Sequence, residues 1–428
     1  MSNLARDLEQ REQLGNPISV GVIGAGQMGS GLVASLEIIA GMKPSIVVDA
    51  KLENAERALR NAGVSGDSIA SAKNSAAAED LLAQGFHVIG DNIDILPNTG
   101  IDAVVEATGV PDVGARAALQ TIGRGQHIIM LNVETDVTIG RILKQLARQA
   151  GVVYSVSAGD EPGATVELVE FARTLGFSVI AAGKGKNNSL DFNATPDTVR
   201  EEAALKGASP HMFCSFVDGT KTMVEMTAVA NATGLVPEQP GMRGMHLTVA
   251  DLAKTLVPTE WGGVLTRRGV VDYVHGVAPG VFAIVTSDNE VVRDDLKYLK
   301  VGDGPAWTLF RPYHLANLET PHTIAKAVLY GDVCLAPGDT PVAETVAVAK
   351  TDLHPGDRLD EIGGYTARGY IVGAAQARAQ RALPLGLVQN ALVKGSVAKG
   401  EIIKYDDVEL WDDSLVVTLR RLQDQWLG

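Results

Sequence analysis

Cysteine, positive charge and long apolar runs are all scarce in this sequence. The 428 residues include two cysteines, Cys214 and Cys334, without a CxxC motif or closely spaced histidines. This pattern excludes a disulfide framework and a structural zinc site, and it favours two buried free thiols. Acidic residues outnumber basic residues by 51 to 37, so we expect a surface that repels nucleic acid and anionic membranes.

No segment approaches the roughly 20 consecutive apolar residues that cross a bilayer. Residues 1–13 are polar and charged and lack the apolar segment of a signal peptide. We therefore expect a cytoplasmic protein without a membrane partner. The length exceeds what a single ordinary core needs, which indicates two or three domains.

The first 160 residues alternate between strand and helix patterns. Short apolar runs rich in β-branched residues predict strands, and the segments between them have helical periodicity. The strand-like runs are 18–23, 44–48, 101–106, 127–131 and 152–157. Such alternation produces a parallel sheet covered on both faces, so we predict a doubly wound, Rossmann-type α/β domain over 1–160, preceded by a helix.

Two further domains are expected after this one. Residues 161–335 combine helical patterns with strand-like runs such as 178–182, and they predict a central α/β domain that binds the substrate. From 336 to 428, short apolar runs alternate with turns such as Pro355-Gly356-Asp357, and this change predicts a small β-rich module.

A glycine-rich motif opens the first helix of the predicted Rossmann domain. Gly24, Gly26 and Gly29 form GxGxxG directly after the first strand, and Gln27 and Met28 lie inside the motif. The first glycine permits a tight turn, the second lets the backbone approach a pyrophosphate, and the third lets helix and strand pack closely. Because the helix N-terminus favours negative charge, we predict that these residues bind a nicotinamide dinucleotide.

Asp49 ends the second predicted strand, 20 residues after Gly29. A carboxylate at this place accepts hydrogen bonds from the adenosine ribose and repels the 2′-phosphate of NADP. It therefore favours NAD over NADP, although Lys51 offsets part of the repulsion. The alternative is that Asp49 only caps the following helix, which would leave NADP open.

Thr108, Gly109 and Asn132 follow the next two predicted strands. The carboxyl ends of parallel strands meet at one edge of the sheet, where ligands bind in this fold. Small residues there allow the nicotinamide ribose to approach, so we predict cofactor contacts for all three. The alternative is that they only form turns and cap helices.

Lys221 and Glu225 are the candidate proton-transfer pair. They stand four residues apart in a predicted helix, 221–232, and therefore share a face. A lysine beside a carboxylate can exchange a proton with an alcohol or a carbonyl during hydride transfer, with Lys221 moving the proton and Glu225 orienting it. The alternative is an exposed ion pair without a catalytic role.

Two other segments offer groups that suit an anionic substrate or its chemistry. The candidates are Lys184, Lys186 and Asn187 in GKGKNN after one predicted strand, and Arg311, Tyr313 and His314 in FRPYHL after another. We assign both lysines to the catalytic groups and the other four residues to substrate binding. A solvated loop and a structural histidine are the respective alternatives.

Asp160 and Glu161 are candidate ligands of a divalent cation, Mg²⁺ or Mn²⁺, which prefers hard oxygen donors. Two adjacent acids in a turn are also common without a metal. The sequence leaves both interpretations open.

Several segments resemble known families. GVIGAGQMG, IDAVVEATG, IIMLNVE and DGTKTMVEMTAVANATG are similar to the homoserine dehydrogenase class of NAD(P) oxidoreductases. LNVETDVTIG, SAGDEPG, AGKGKNN, GVVDY and RPYHL resemble the 1-deoxy-D-xylulose 5-phosphate reductoisomerase-like proteins. VAVAKTDLHPGDRLDEIG and LVKGSVAKGEIIKYDDVEL resemble a SAF domain, which is a small β-clip fold.

This resemblance implies a homodimer or homotetramer assembled through the central domain, and a hydride transfer coupled to an α-ketol rearrangement. Our leading hypothesis is an NAD(P)-dependent oxidoreductase that acts on a small polyhydroxylated acid or sugar derivative, phosphorylated ones included. In this hypothesis Lys184, Lys186 and Arg311 hold the anionic end of the substrate. The alternatives are a reductoisomerase of isoprenoid-precursor synthesis, a homoserine dehydrogenase-like enzyme, and a non-catalytic dinucleotide sensor.

Overall fold

The computed structural model describes residues 4–427, which form two compact units. The first unit comprises residues 4–160, 315–336 and 418–427, and the second comprises 161–314 and 337–417. Each unit is therefore built from separate stretches of the chain. Within residues 4–427, no helix is both long and apolar enough to cross a membrane.

Helices and strands alternate along most of the described chain. Up to residue 156 the order is α1 Leu4–Gln13, β1 Ile18–Ile23, α2 Gln27–Ile38, β2 Met42–Val48, α3 Leu52–Asn61, β3 Ile69–Ser71, α4 Ser75–Ala83, β4 His87–Gly90, β5 Ala103–Glu106, α5 Pro111–Gly123, β6 His127–Met130, α6 Val133–Ala150 and β7 Tyr154–Val156. The next elements are α7 Glu161–Thr174, β8 Ser178–Lys186, α8 Arg200–Leu205, α9 Pro210–Val217, α10 Thr220–Thr233, β9 Val236–Pro237, β10 Met245–His246, α11 Val249–Thr255, β11 Val270–His275, β12 Val281–Thr286, α12 Glu290–Tyr298, β13 Trp307–Arg311 and α13 Thr320–Tyr330. The last are β14 Ala343–Ala349, β15 Ala367–Gly373, α14 Ala374–Ala379, β16 Leu392–Val393, β17 Val408–Glu409 and α15 Leu415–Trp426.

Seven parallel strands form the sheet of the first unit, in the order β3-β4-β2-β1-β5-β6-β7. The winding direction changes between β1 and β5, so the loops after these two strands diverge and leave a crevice at their carboxyl ends. Helices cover both faces of the sheet, which is why the strands are apolar throughout, as Val20 and Val22 in β1 are. The predicted doubly wound parallel sheet is confirmed.

Two later stretches of the chain complete this first unit. In α13, Ile324 and Ala325 join the same buried core as Leu32 of α2. In α15, the Gln423 amide accepts a hydrogen bond from the backbone N–H of Ile142 at 3.0 Å. Both stretches therefore depart from the expected domains 161–335 and 336–428, because contacts made on return to an earlier sheet leave no local pattern in the sequence.

The second unit is built on a mixed sheet in the order β10-β11-β8-β12-β13, with β9 also paired to β11. Its central strand β8 runs parallel to β11 and antiparallel to β12. Helices α7 and α10 pack on one face of this sheet. Leu252 of α11, together with Leu256 and Leu265, packs on the other face.

The strand β8 is longer than the sequence predicted. The expected strand ended at residue 182 and was followed by a loop, whereas β8 continues through Gly183 to Lys186. Glycine allows this, since a Cβ on Gly183 would lie 1.7 Å from the carbonyl oxygen of Asp272 on the adjacent strand. Strand alternation then places Lys184 and Lys186 on the same face, and Asn187 is exposed just beyond the strand.

Residues 337–417 pack on α10 within the second unit. Strands β14 and β15 form one antiparallel pair, and β16 and β17 form another. The side chain of Asn231 in α10 accepts hydrogen bonds from the backbone N–H groups of Val342 at 2.9 Å and Ala343 at 3.1 Å. This module is rich in short β pairs, while its resemblance to a SAF domain stays a prediction.

Candidate active site

The glycine motif of the first unit has the geometry of a phosphate-binding loop. Gly24 has φ +94°, and a Cβ there would lie 3.0 Å from the backbone of Ala107. A Cβ on Gly29 would lie 1.7 Å from the carbonyl oxygen of Gly24. Gly26 caps α2 without any side-chain hydrogen bond to the first turn, and the space where its Cβ would be is open. The loop therefore leaves room for a pyrophosphate at the N-terminus of α2, beside the predicted Gln27 and Met28.

Asp49 lies directly beside this loop. One carboxylate oxygen accepts a hydrogen bond from the backbone N–H of Ala25 at 2.8 Å. The other accepts from the backbone N–H of Lys51 at 2.9 Å and from the Asn54 amide at 3.0 Å. A carboxylate has about four acceptor positions, so one is left for a ribose hydroxyl. Asp49 thus binds the residue before α3 and the side chain of Asn54 in its first turn, and its place also suits ribose recognition.

The predicted contacts after β5 and β6 are also engaged within the protein. The Thr108 hydroxyl and its backbone N–H, the latter at 2.8 Å, both donate to one oxygen of Glu106. The Asn132 amide caps α6 by accepting from the Thr135 N–H at 3.0 Å. Burial raises the pKa of Glu106 to about 7, against the hydrogen bonds from Thr108. Gly109 has φ +73°, a backbone conformation that suits glycine.

A buried ionic cluster lies between the sheet and the helices of the second unit. Lys184 of β8 donates from Nζ to Glu161 at the start of α7, at 2.6 Å, and to Glu225 of α10. The side chains of Lys184, Glu161 and Glu225 are 6, 16 and 2% exposed, respectively. The cluster therefore holds two carboxylates against one ammonium in surroundings that exclude most water.

Burial and the neighbouring charges together shift the pKa values of the cluster. Burial alone would lower the pKa of Lys184, but the charges of Glu161 and Glu225 outweigh it and raise the net pKa. Burial and the charge of Glu161 raise the pKa of Glu225 to about 7, against the opposing effect of Lys184 and Lys221. The cluster can therefore gain or release a proton close to neutral pH.

The two remaining predicted lysines lie near this cluster. Lys186 is buried and donates from Nζ to the carbonyl oxygen of Phe216 at 2.7 Å. Burial, and secondarily the charge of Lys184, lower the pKa of Lys186 to about 8. Lys221 is half-buried one turn before Glu225, and its charge acts on that carboxylate. The buried ion pair of Glu225 with Lys184 was not anticipated from the sequence.

His314, one of the predicted substrate-binding residues that follow β13, reaches the same cluster. Its Nδ1 lies 2.8 Å from the carbonyl oxygen of Pro279, so this nitrogen carries a proton and donates it. Its Nε2 lies 3.5 Å from a carboxylate oxygen of Glu161. Glu161 thus contacts both Lys184 and His314, and the predicted histidine is held beside the proton-carrying groups.

Arg311 and Tyr313 form a contact of their own in this segment. Arg311 is the last residue of β13, and its guanidinium pairs with the carboxylate of Glu167 at 3.0 Å. The guanidinium carbon lies 4.8 Å from the centroid of the Tyr313 ring, which is half exposed. The three predicted substrate-binding residues therefore do not form one cluster. Arg311 contacts Tyr313, whereas His314 contacts Glu161.

The two predicted metal ligands are adjacent in the chain. Asp160 is the last residue of the first unit, and Glu161 is the first residue of the second. The carboxylate of Glu161 already accepts a hydrogen bond from the Lys184 ammonium. A divalent cation at Glu161 would therefore compete with a buried positive charge, and the metal site stays a prediction.

Two histidines that the sequence analysis missed lie at the carboxyl ends of neighbouring strands. The rings of His246 in β10 and His275 in β11 stack with their centroids 4.4 Å apart. Burial, and then the charge of His246, lower the pKa of His275, which is the register partner of Lys186 on β8. Only the pairing of β10 with β11 brings the two rings together, so no local pattern could have signalled them.

The first unit has the fold and the glycine loop of a dinucleotide-binding α/β domain, and the second unit carries a buried acid–base cluster. Residues 159–320, which include this cluster, match the family model described as the catalytic domain of the oxidoreductase DRL. The match covers less than half of the chain, and over those residues the chain is similar to that family. No curated protein matches the sequence.

Solved structures of dehydrogenases show a distant likeness. The myo-inositol 2-dehydrogenase from Lactobacillus plantarum is 12% identical, with 74% of this chain and 91% of that chain covered and a TM-score of 0.38. A myo-inositol dehydrogenase from Corynebacterium glutamicum is 11% identical, with 74 and 89% covered and a TM-score of 0.39. The WlbA dehydrogenase from Bordetella pertussis, in complex with NADH and UDP-GlcNAcA, is 18% identical, with 43 and 50% covered and a TM-score of 0.28. Likeness at these TM-scores carries no inference about the activity of this chain.

Proposed function

We propose that this protein is an NAD(P)-dependent oxidoreductase that transfers a hydride to or from a small polyhydroxylated acid or sugar derivative. The observation that carries the proposal is the cluster of Lys184 between Glu161 and Glu225, within the segment that is similar to an oxidoreductase catalytic domain. A carbonyl that becomes an alcohol needs a proton as well as a hydride. This cluster is able to hold and release one.

The residues of the first unit fit a nicotinamide dinucleotide. Gly24, Gly26 and Gly29 leave the space that a pyrophosphate needs, and Asp49 is placed to accept from a ribose hydroxyl. Such a cofactor supplies the hydride when it is bound. The negative charge of Asp49 supports a preference for NAD over NADP.

The proton in this proposal resides on the pair formed by Lys184 and Glu225. The Lys184 ammonium is the donor to the substrate oxygen during reduction, and Glu225 keeps it charged and oriented. In the oxidative direction Lys184 takes the proton of the alcohol as it passes one of its own to Glu225, whose pKa is about 7. The positive charges of Lys186 and Arg311 support a substrate that carries an anionic group.

The experiment that tests this proposal compares Lys184→Met with Lys221→Met, because the sequence pattern favours Lys221 and the geometry favours Lys184. Reduced-cofactor absorbance is followed with a panel of sugar acids, polyols and their phosphates. Loss of general acid–base catalysis lowers kcat by about 10²–10⁴-fold, and we expect this in Lys184→Met. Lys221→Met should retain turnover within about tenfold, since its side chain is only half-buried.

Lys254→Met is the matched control, because Lys254 is an exposed lysine of the same unit. Cofactor affinity, measured by fluorescence titration, should be unchanged in all three variants. Full activity of Lys184→Met would end the assignment of the proton to this cluster. Cofactor binding without turnover of any substrate in the wild-type protein would favour a dinucleotide sensor instead.

An α-ketol rearrangement is a narrower form of the same proposal, and its support is the sequence resemblance to reductoisomerase-like proteins. Turnover of 1-deoxy-D-xylulose 5-phosphate with a rearranged carbon skeleton in the product would establish it. An unrearranged product would restrict the reaction to simple hydride transfer. The proposed homo-oligomer is tested separately by the mass of the protein in solution.

A further inference from the structure

Arg368 in β15 has one guanidinium nitrogen without a hydrogen bond. Its Nη1 is fully buried and makes no hydrogen bond to any part of the chain that the structure describes. A guanidinium carries five N–H donors and cannot lose its charge in a protein. Buried polar groups are nearly always satisfied, and an exception indicates a role such as the binding of an ion.

Two aromatic rings hold this guanidinium in place. Its Cζ lies 4.1 Å from the ring centroid of Phe192 and 5.3 Å from that of Tyr370. The Tyr370 hydroxyl donates to the carbonyl oxygen of Pro240 at 3.0 Å, which fixes that ring. Arginine stacks on aromatic rings through its flat face, so a ligand would approach in the plane of the guanidinium. Phe192 is 37% exposed, so solvent reaches this part of the structure.

The first turn of α10 lies next to Arg368. The backbone N–H of Gly369 donates to the Thr220 hydroxyl at 2.8 Å. A Cβ on Gly219 would lie 3.6 Å from the ring of Phe192, so this ring connects the helix start with the guanidinium. The N-terminus of a helix adds partial positive charge to the same location.

The acid whose charge acts on Arg368 is already engaged. Asp218 raises the pKa of Arg368 against the stronger lowering by burial. Its carboxylate accepts from Lys350 Nζ at 2.9 Å and from the backbone N–H of Thr220 at 2.9 Å. Lys350 therefore neutralises Asp218, and Arg368 keeps an excess positive charge.

We propose that Arg368 binds an oxyanion, the carboxylate or phosphate group of a small molecule. The planar fork of arginine matches both groups through two parallel hydrogen bonds. In a chain with a net charge of −14, such a ligand must be captured by a local cation. The C-terminal module thereby contributes a ligand-binding residue, and the site does not depend on the proposed redox function.

The test measures binding of inorganic phosphate and of acetate to the full chain by equilibrium dialysis at constant ionic strength. Loss of a bidentate, charge-assisted contact should raise the Kd in Arg368→Gln by at least about tenfold, with a smaller increase in Arg368→Lys. Arg267→Gln is the control, because Arg267 is exposed. Phosphate bound at the glycine loop contributes equally to all of these proteins and cancels in the comparison.

A second readout covers the case in which Arg368→Gln does not fold. Phenylglyoxal labelling of the wild-type protein, mapped by mass spectrometry, reports each arginine separately. Phosphate or acetate should slow labelling of Arg368 at least about fivefold relative to chloride and leave Arg267 unchanged. Protection by phosphate alone would identify a phosphate site, and protection by acetate alone a carboxylate site. Wild-type binding that equals that of a folded Arg368→Gln, or no protection by either anion, would overturn the proposal.

Discussion

Replacing Lys184 by methionine should destabilise the second unit to an extent that depends on pH. The substitution keeps most of the side-chain volume but leaves Glu225, which is 2% exposed, and Glu161 without their shared ammonium. Removal of one partner from a buried ion pair costs about 3–5 kcal/mol. For a unit of this size, about 2–4 °C of Tm corresponds to 1 kcal/mol, so we expect a loss of about 6–20 °C.

The pH dependence follows from the raised pKa of Glu225, which is about 7 in the folded wild-type protein. A folded-state pKa above the unfolded value means that stability falls as pH rises, until the folded-state pKa is passed. Without the ammonium this pKa rises further, so the variant continues to lose stability after the wild-type protein has levelled off. If the additional shift is between one and two units, the difference grows by about 2 kcal/mol between about pH 6.5 and about pH 9.

Thermal unfolding followed by circular dichroism across this pH range would measure the effect, with Lys254→Met as the control. A destabilisation that is the same at every pH would refute the coupling between Lys184 and Glu225. A Tm equal to that of the wild-type protein would refute the cluster itself.

Three further changes test other parts of the structure. Gly29→Ala should weaken NADH binding by more than about tenfold in a fluorescence titration, because the alanine Cβ would lie 1.7 Å from the carbonyl oxygen of Gly24. An unchanged affinity would contradict the geometry of the loop. Asp49→Asn should shift the kcat/KM ratio towards NADPH by about tenfold, since it removes the charge that repels the 2′-phosphate, and an unchanged ratio would argue against ribose recognition. Lys350→Met should lower the free energy of unfolding by about 3–5 kcal/mol, measured by chemical denaturation, because it leaves the wholly buried Asp218 without its cation. Adding Asp218→Asn to this variant should recover part of the loss, and no recovery would argue against the ion pair.

The sequence allowed the Rossmann sheet to be predicted because its signals are local. Strand β1, Ile18–Ile23, has the predicted bounds, since a run rich in β-branched apolar residues ends at the first glycine of the loop. Strands β3 and β4 were missed, because Ile69–Ser71 lies in a largely polar stretch and His87–Gly90 contains only two apolar residues, Val88 and Ile89. The extension of β8 was missed for a different reason, since alternating glycine and lysine is typical of a loop.

The central pair of the candidate site could not be predicted from spacing. Lys184 and Glu225 are 41 residues apart, and only the packing of α10 on β8 brings them together. Helical spacing indicated Lys221 as the partner of Glu225, but it does not show that the helix face at Glu225 turns towards the sheet. The same limit applies to Lys350 and Asp218, which are 132 residues apart.

Because α15 belongs to the first unit, it affects both the order in which this unit can fold during synthesis and the truncations that it tolerates. Gln423, which binds the backbone of Ile142, leaves the ribosome after the whole of residues 337–417. Helix α6, one of the first helices to be synthesised, must therefore wait for one of the last helices to cover it. Truncation before residue 337 would remove that cover together with the module, whereas excision of 337–417 with a short linker would retain it.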